Sequence, residues 1–160
     1  MTANRPERKT RSSLDPDLIV PAIWHHLFCD VEIVDPVHLN PNVQEPIYRL
    51  LGDVPHVTLL PPLDYLPLVH LMKRADLVLT DSGGIQEETT YLNAPCLTLR
   101  ANTERPVTII EGTNELVTYE NIEEKVDVIL SGKWKQGRLP ELWDGKTAQR
   151  IVNTLKRMEI

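Results

Sequence analysis

Ala75 to Arg105 reads ADLVLTDSGGIQEETTYLNAPCLTLRANTER, and the way this stretch divides decides the fold. Leu77 to Thr80 is a short apolar run with a β-branched member between Asp76 and Asp81, the pattern of a strand covered on both faces. Ser82, Gly83 and Gly84 carry almost no side chain, so the backbone can turn tightly there and admit a ligand close to its N–H groups. Ile85 to Leu92 reads as a helix, with Ile85, Tyr91 and Leu92 as candidates for its inward side, and Cys96 to Leu99 reads as the next strand. A strand, a small-residue turn and a helix start make an anion site, because unsatisfied N–H groups and the positive end of the helix dipole converge there.

A Gly-Gly pair between strand and helix is also ordinary punctuation. Two residues add weight to the ligand reading: Glu88, one helical turn beyond Gly84, and Arg105, after the following strand. A carboxylate beside a phosphate is repelled, so Glu88 on the ligand side would meet neutral hydroxyls such as those of a ribose. Turned elsewhere, it would only complement the helix dipole. Arg105 offers a planar, permanently charged fork for phosphate oxygens, or else a surface ion pair with Glu104 or Glu111.

Outward from this centre, strands and helices alternate. Upstream, Leu14 to Cys29 has helical spacing behind an Asp15-Pro16 start, with Pro21 as a kink. Val31 to Val34 is a strand ending at Asp35-Pro36, followed by a helix over Val43 to Leu51, with Asn40 and Asn42 as its candidate caps. Val57 to Leu60 is the next strand, and Asp64 precedes a helix over Tyr65 to Arg74 whose Leu66, Val69, Leu71 and Met72 would cover the sheet. Downstream, Thr103 to Pro106 looks like a helix start, Gly112 stops that helix, and Glu115 to Val117 resumes as a strand. Ile122 to Leu130 is amphipathic, with Ile122, Val126, Ile129 and Leu130 inward. Thr147 to Met158 forms the last helix, with Ile151, Val152 and Leu155 on its buried side, and Trp143 before it is a packing residue.

Such alternation predicts an α/β fold: a Rossmann-like parallel sheet with right-handed crossovers and helices on both faces. Loops at the carboxyl edge of the strands then carry Asn4, Arg5, His38, Leu63, Ser82, Gly83, Gly84, Glu88 and Arg105, and open α/β sheets place ligands at that edge. The convergence points to a nucleotide.

The 160 residues are enough for one core, and 41% hydrophobic with 25% charged content is ordinary for a globular chain. A net charge of -6 argues against general affinity for nucleic acid or an anionic membrane. Cys29 and Cys96 lack metal-ligand spacing and sit among apolar residues, as buried free thiols do in a reducing compartment. His25 and His26 are adjacent and so diverge, which makes them poor joint ligands. With no signal peptide and no long apolar run in the sequence, a cytoplasmic location is expected.

Several motifs in order carry a resemblance. TDSGGIQEE, TERPVTIIEGTNELV, PVHLNPNV, PPLDYLPLVHLMKRADL and LWDGKTAQRI together resemble the C-terminal half of the non-hydrolysing UDP-N-acetylglucosamine 2-epimerases, over roughly Val31 to Leu155. The resemblance implies a two-domain GT-B-type architecture of which this chain holds the C-terminal, nucleotide-binding domain (31–160). Residues 1–30 are then a partial, poorly matched segment that has lost the strand leading into it. It implies reversible conversion of UDP-N-acetylglucosamine to UDP-N-acetylmannosamine for cell-surface polysaccharide. A base removes the C2 proton as UDP leaves C1, with no cofactor and no metal.

The same resemblance implies UDP contacts from Arg5, Leu63, Leu68, Ser82, Gly83, Gly84, Glu88 and Arg105, Leu68 pressing on the base or serving simply as core. Asn4 stands where the family has an active-site histidine. Asn cannot carry a proton in transfer near neutral pH, which puts catalysis in doubt. Arg5 and His38 match an allosteric effector site found in some members, and the full-length enzyme would be a homodimer. Since the acidic groups that handle the C2 proton belong to the other domain, the chain alone should bind UDP without turnover. The alternatives are a non-catalytic UDP-binding remnant and half of a nucleotide-sugar glycosyltransferase.

Overall fold

The computed structural model describes residues 31–158. Eleven elements follow in order: β1 (Ile33–Pro36), α1 (Pro41–Leu51), β2 (Val57–Leu60), α2 (Tyr65–Arg74), β3 (Val78–Thr80), α3 (Gly83–Leu92), β4 (Cys96–Thr98), α4 (Pro106–Ile110), β5 (Asn114–Leu116), α5 (Ile122–Leu130) and α6 (Thr147–Arg157). The chain is an α/β fold in which every strand pairing is parallel.

Instead of one sheet, the described strands form two: β1 with β2, and β3-β4-β5. Parallel pairings of this kind are the ones that strands 2-3 and strands 4-5-6 make in the doubly wound order 3-2-1-4-5-6. Among the described residues no strand pairs with the second edge of β1 or of β3. The predicted helix over Leu14 to Cys29, like Asn4 and Arg5, lies outside the described residues. β1 runs two residues beyond the expected end at Val34, because Val37 N–H still donates to Leu60 C=O at 3.0 Å. Pro36 gives up only its own missing donor at the strand end.

The three-stranded sheet is covered on both faces, and strand alternation gives each face a different chemistry. Leu97 and Leu99 point one way, into a core closed by Val117 and by Ile122, Val126 and Ile129 of α5. Cys96 and Thr98 point the other way, toward α3, which packs across β3, β4 and β5. That second face is polar: Thr98 Oγ1 donates to Asn114 Oδ1 at 2.7 Å, and both side chains are fully buried. Cys96 is a buried free thiol, and burial pushes its pKa up.

On four helices a residue expected to face inward is exposed. The buried residues of α3 are Gln86, Thr89 and Thr90, whereas Tyr91 is 65% exposed. Helical spacing alone does not say which stripe of a mixed helix faces inward, and here hydrogen bonds to the opposing sheet select the polar one. Leu66 of α2 and Leu130 of α5 are exposed, each at the margin of its apolar stripe. Ile151, Val152 and Leu155 of α6 are also exposed. Their spacing makes the helix amphipathic, yet no described element covers that face.

Candidate functional site

The site begins where β3 ends. Ser82 is the N-cap of α3 with extended dihedrals, its own N–H donates to Thr80 Oγ1 at 3.0 Å, and its side chain makes no cap bond. Gly83 and Gly84 are not a turn, as their sequence suggested, but the first two residues of the helix itself. Neither has a positive φ, so the backbone does not require glycine there. Packing does not require it either: a Cβ on Gly83 would meet nothing within 4 Å, and one on Gly84 would meet only Ser82 Oγ at 3.8 Å. Gly112 shows the contrast, since a Cβ there would lie 2.4 Å from Thr90 Oγ1 and 2.6 Å from Thr108 C=O. The bare helix start therefore leaves open space in front of N–H groups that have no intrahelical acceptor.

Arg105 follows β4 as Ser82 follows β3, and the parallel strands put both on one edge. Its Nε lies 2.9 Å from Glu87 Oε1, one turn along α3 from Gly83. Its ion pair is therefore with neither Glu104 nor Glu111, the partners considered from sequence, although its Nη1 donates to the Glu104 backbone C=O at 3.3 Å. Glu104 is taken by Arg100 and Glu111 by Arg138. The side chain of Arg105 is 44% exposed, its charge lying beside Glu87 of α3.

Glu88 sits on the same turn of α3, with a buried Oε2 that has no partner among the described residues. Burial first, and the Glu87 charge second, raise its pKa above the ordinary glutamate value. A carboxyl that holds its proton more tightly folded than unfolded makes the native state bind more protons between the two pKa values. Stability therefore falls as pH rises through that interval. Glu88→Gln is expected to be more stable than the parent at pH 7, by less than about 1 kcal/mol, because the amide keeps the shape of the side chain and removes a charge that burial and the Glu87 carboxylate both disfavour. The gain should vanish below about pH 4, where the unfolded glutamate is also protonated. Melting curves in a pH series check this, and a gain that stays constant from acid to neutral pH would count against Glu88 as its source.

Leu63 lies half-buried in the loop after β2 and Leu68 half-buried on α2, and α2 packs against α3. The structure thus brings the helix of Leu68 alongside the glycine helix. His38 is exposed just beyond β1, its Nδ1 accepting from Asn40 N–H at 3.1 Å, and Asn40 caps α1 as expected. No contact joins His38 to the Gly83 and Arg105 group among the contacts described. A cavity of about 480 Å³, lined in part by Asp76, Pro95 and Thr113, opens at the opposite edge of the sheet, where β3, β4 and β5 begin. It is separate from the candidate site.

Sequence reasoning missed the residues under the site. Gln86 Oε1 accepts from Thr103 Oγ1 at 2.6 Å, and Asn114 Nδ2 donates to Thr108 Oγ1 at 3.2 Å. The one signal available was the polar stripe of Gln86, Thr89 and Thr90 at helical spacing, which an apolar-periodicity search passes over.

A family model described as UDP-N-acetylglucosamine 2-epimerase matches residues 22–156. The chain belongs to the UDP-N-acetylglucosamine 2-epimerase family. It is 58% identical over 137 residues to the UDP-N-acetylglucosamine 2-epimerase of Salmonella typhimurium, covering 82% of this chain and 36% of that one. It is 44% identical to the Escherichia coli K12 enzyme of the same name, with the same coverage. The chain thus spans about a third of the length of these curated relatives. Among solved structures, the Neisseria meningitidis UDP-GlcNAc 2-epimerase bound to UDP-GlcNAc superposes with a TM-score of 0.71 at 39% identity, over 79% of this chain and 36% of that one. An S. aureus protein solved with UDP gives a TM-score of 0.74 at 30% identity, over 88% and 39%. The α/β fold with parallel sheets thus matches part of an epimerase with GT-B-like architecture. Within the described residues, no helix is long and apolar enough to cross a membrane, and no cluster of His, Cys, Asp and Glu forms a metal site.

Proposed function

We propose that residues 31–158 hold the UDP moiety of UDP-N-acetylglucosamine for 2-epimerisation. In this reading Gly83 and Gly84 present N–H groups to the diphosphate and Arg105 grips it from the facing loop. Glu88 accepts from ribose hydroxyls, Ser82 supplies a hydroxyl, and Leu63 and Leu68 border the base. An epimerisation that releases and recaptures UDP needs the departed diphosphate held in place by pre-oriented donors. Loss of UDP to solvent would end the cycle. Turnover is assigned to acidic groups outside this chain, so the chain by itself binds UDP and leaves UDP-N-acetylglucosamine unchanged.

The observation that carries the reading is the pair of glycines that neither backbone nor packing requires, opposite an exposed arginine on the same edge. Gly83→Ala tests it, because fold and ligand make opposite demands there. An alanine in ordinary helical geometry should raise stability by about 0.5 kcal/mol. Its methyl group should keep phosphate from the N–H groups and weaken UDP binding about tenfold, the worth of one charge-assisted hydrogen bond. Calorimetric titration with UDP beside thermal melting reads both. A variant that is stabilised and binds UDP as tightly as the parent would remove the glycines from the site.

A further inference from the structure

Beneath the exposed Arg105 lies a closed circuit of side chains that share their hydrogen bonds. Arg105 N–H donates to Thr103 Oγ1 at 2.9 Å, and the single hydroxyl proton of Thr103 goes to Gln86 Oε1 at 2.6 Å. On the other side, Arg105 C=O accepts from Thr108 Oγ1 at 2.7 Å, and that oxygen accepts from Asn114 Nδ2 at 3.2 Å. Asn114 Nδ2 also reaches Gln86 Oε1 at 3.4 Å, which closes the ring. Each of the two hydroxyls donates once and accepts once, and Asn114 is satisfied at both ends of its amide, its Oδ1 accepting from Thr98 Oγ1. Gln86, Thr108 and Asn114 are fully buried.

We infer that Gln86 and Asn114 are positioning residues that hold the backbone of Arg105 through Thr103 and Thr108, and thereby set its guanidinium against the start of α3; this rests on the proposed role of that arginine. A long side chain finds a diphosphate only as reproducibly as its Cα is placed. Here the Cα is held from both sides, by the peptide N–H and by the C=O. Gln86 also lies on α3, three residues after Gly83, so one amide ties the helix that faces the anion to the loop that carries the cation. Its Oε1 is the acceptor that joins Thr103 to Asn114, while its Nε2 is buried without a partner among the described residues.

The test uses the full 160-residue chain and the pair Thr103→Val and Thr103→Ser. Valine keeps the shape and removes the hydroxyl, while serine keeps the hydroxyl. Thr103 is only half-buried, so both variants should fold, which thermal melts verify. UDP and uridine are each titrated by NMR. Thr103→Val should weaken UDP about tenfold, the loss of one charge-linked contact, while uridine affinity stays within about twofold and Thr103→Ser binds UDP within about threefold of the parent. Equal losses for UDP and uridine, or no loss for either, would overturn the inference, because a general loosening of the fold does not distinguish the diphosphate. A ligand-free reading separates this inference from the function it rests on. Hydrogen exchange at the Arg105 amide should quicken about tenfold or more in Thr103→Val and stay near the parent rate in Thr103→Ser. Unchanged exchange would overturn the clamp by itself. A parent chain that binds neither ligand would overturn the nucleotide role of Arg105, and with it the positioning assignment, even where exchange shows the clamp intact.

Discussion

Arg105→Ala is expected to lower the affinity of the chain for UDP by about a hundredfold. Two hydrogen bonds from a guanidinium to phosphate oxygens contribute roughly 1.5 kcal/mol each after desolvation, and about 3 kcal/mol corresponds to two decades in Kd. The opposing term is small. In the free chain Arg105 must first leave Glu87, and an ion pair whose partners are 44% and 42% exposed contributes at most about 1 kcal/mol. In the variant Glu87 faces the incoming diphosphate without its partner, which adds repulsion. The loss should shrink at high salt, since the Debye length falls from about 10 Å at 0.1 M to about 3 Å at 1 M.

Arg100→Ala is the control, because it removes the same charge from the same loop. The Arg100 guanidinium is committed to Glu104 through bonds of 3.1 and 2.9 Å. Calorimetric titration of both variants should give a large loss for Arg105→Ala and less than about threefold for Arg100→Ala, the scale of an exposed charge change. Similar losses in the two variants would mean that the loop supplies only general positive potential. The assignment of Arg105 to the diphosphate would then fail.

Leu97→Ala is the substitution expected to cost the fold most, about 3 to 4 kcal/mol. Leu97 is fully buried on the central strand of the three-stranded sheet and meets Leu99, Val117, Ile122, Val126 and Ile129. Truncation loses the transfer energy of three carbons and leaves a cavity that strand backbones on both sides cannot close, which puts the cost within the 2 to 5 kcal/mol usual for such changes. For a chain of this size that is a fall in Tm of about 6 to 16 °C. Urea denaturation measures it, with Ile110→Ala as the reference. Ile110 is 79% exposed, and its truncation should change stability by less than about 0.5 kcal/mol. A Leu97→Ala cost below about 1 kcal/mol would place the core elsewhere. Because β4 leads into the loop of Arg105, the same variant should also bind UDP less well near its melting range.

Much of this was legible in the amino-acid order. The strand at Val57–Leu60 and the helix at Ile122–Leu130 lie where periodicity placed them, and alternating strands and helices predicted a parallel α/β fold. The carboxyl-edge position of Gly83 and Arg105 followed from that topology alone, since parallel strands point all their exit loops the same way. Local composition carries such facts because each depends on residues a few positions apart.

Tertiary structure decided which side of each helix meets the sheet and which charges meet each other. α3 buries Gln86, Thr89 and Thr90 most deeply, leaves Ile85 and Leu92 half-buried and exposes Tyr91, because Gln86 finds its partners in Thr103 and Asn114, 17 and 28 residues away. The Thr89 and Thr90 hydroxyls are satisfied within α3 by the carbonyls of Ile85 and Gln86, but the Gln86 amide needs those distant partners, and no local window contains them. Arg105 reached Glu87 rather than Glu104 or Glu111 for the same reason. Spacing makes Ile151, Val152 and Leu155 amphipathic, but burial depends on a second surface, and none of the described elements supplies one. The sequence by itself determined the alternation of strand and helix and the edge that carries Gly83 and Arg105; the pairing of side chains across that edge came from packing, where free energy is set by contacts between residues far apart in the chain.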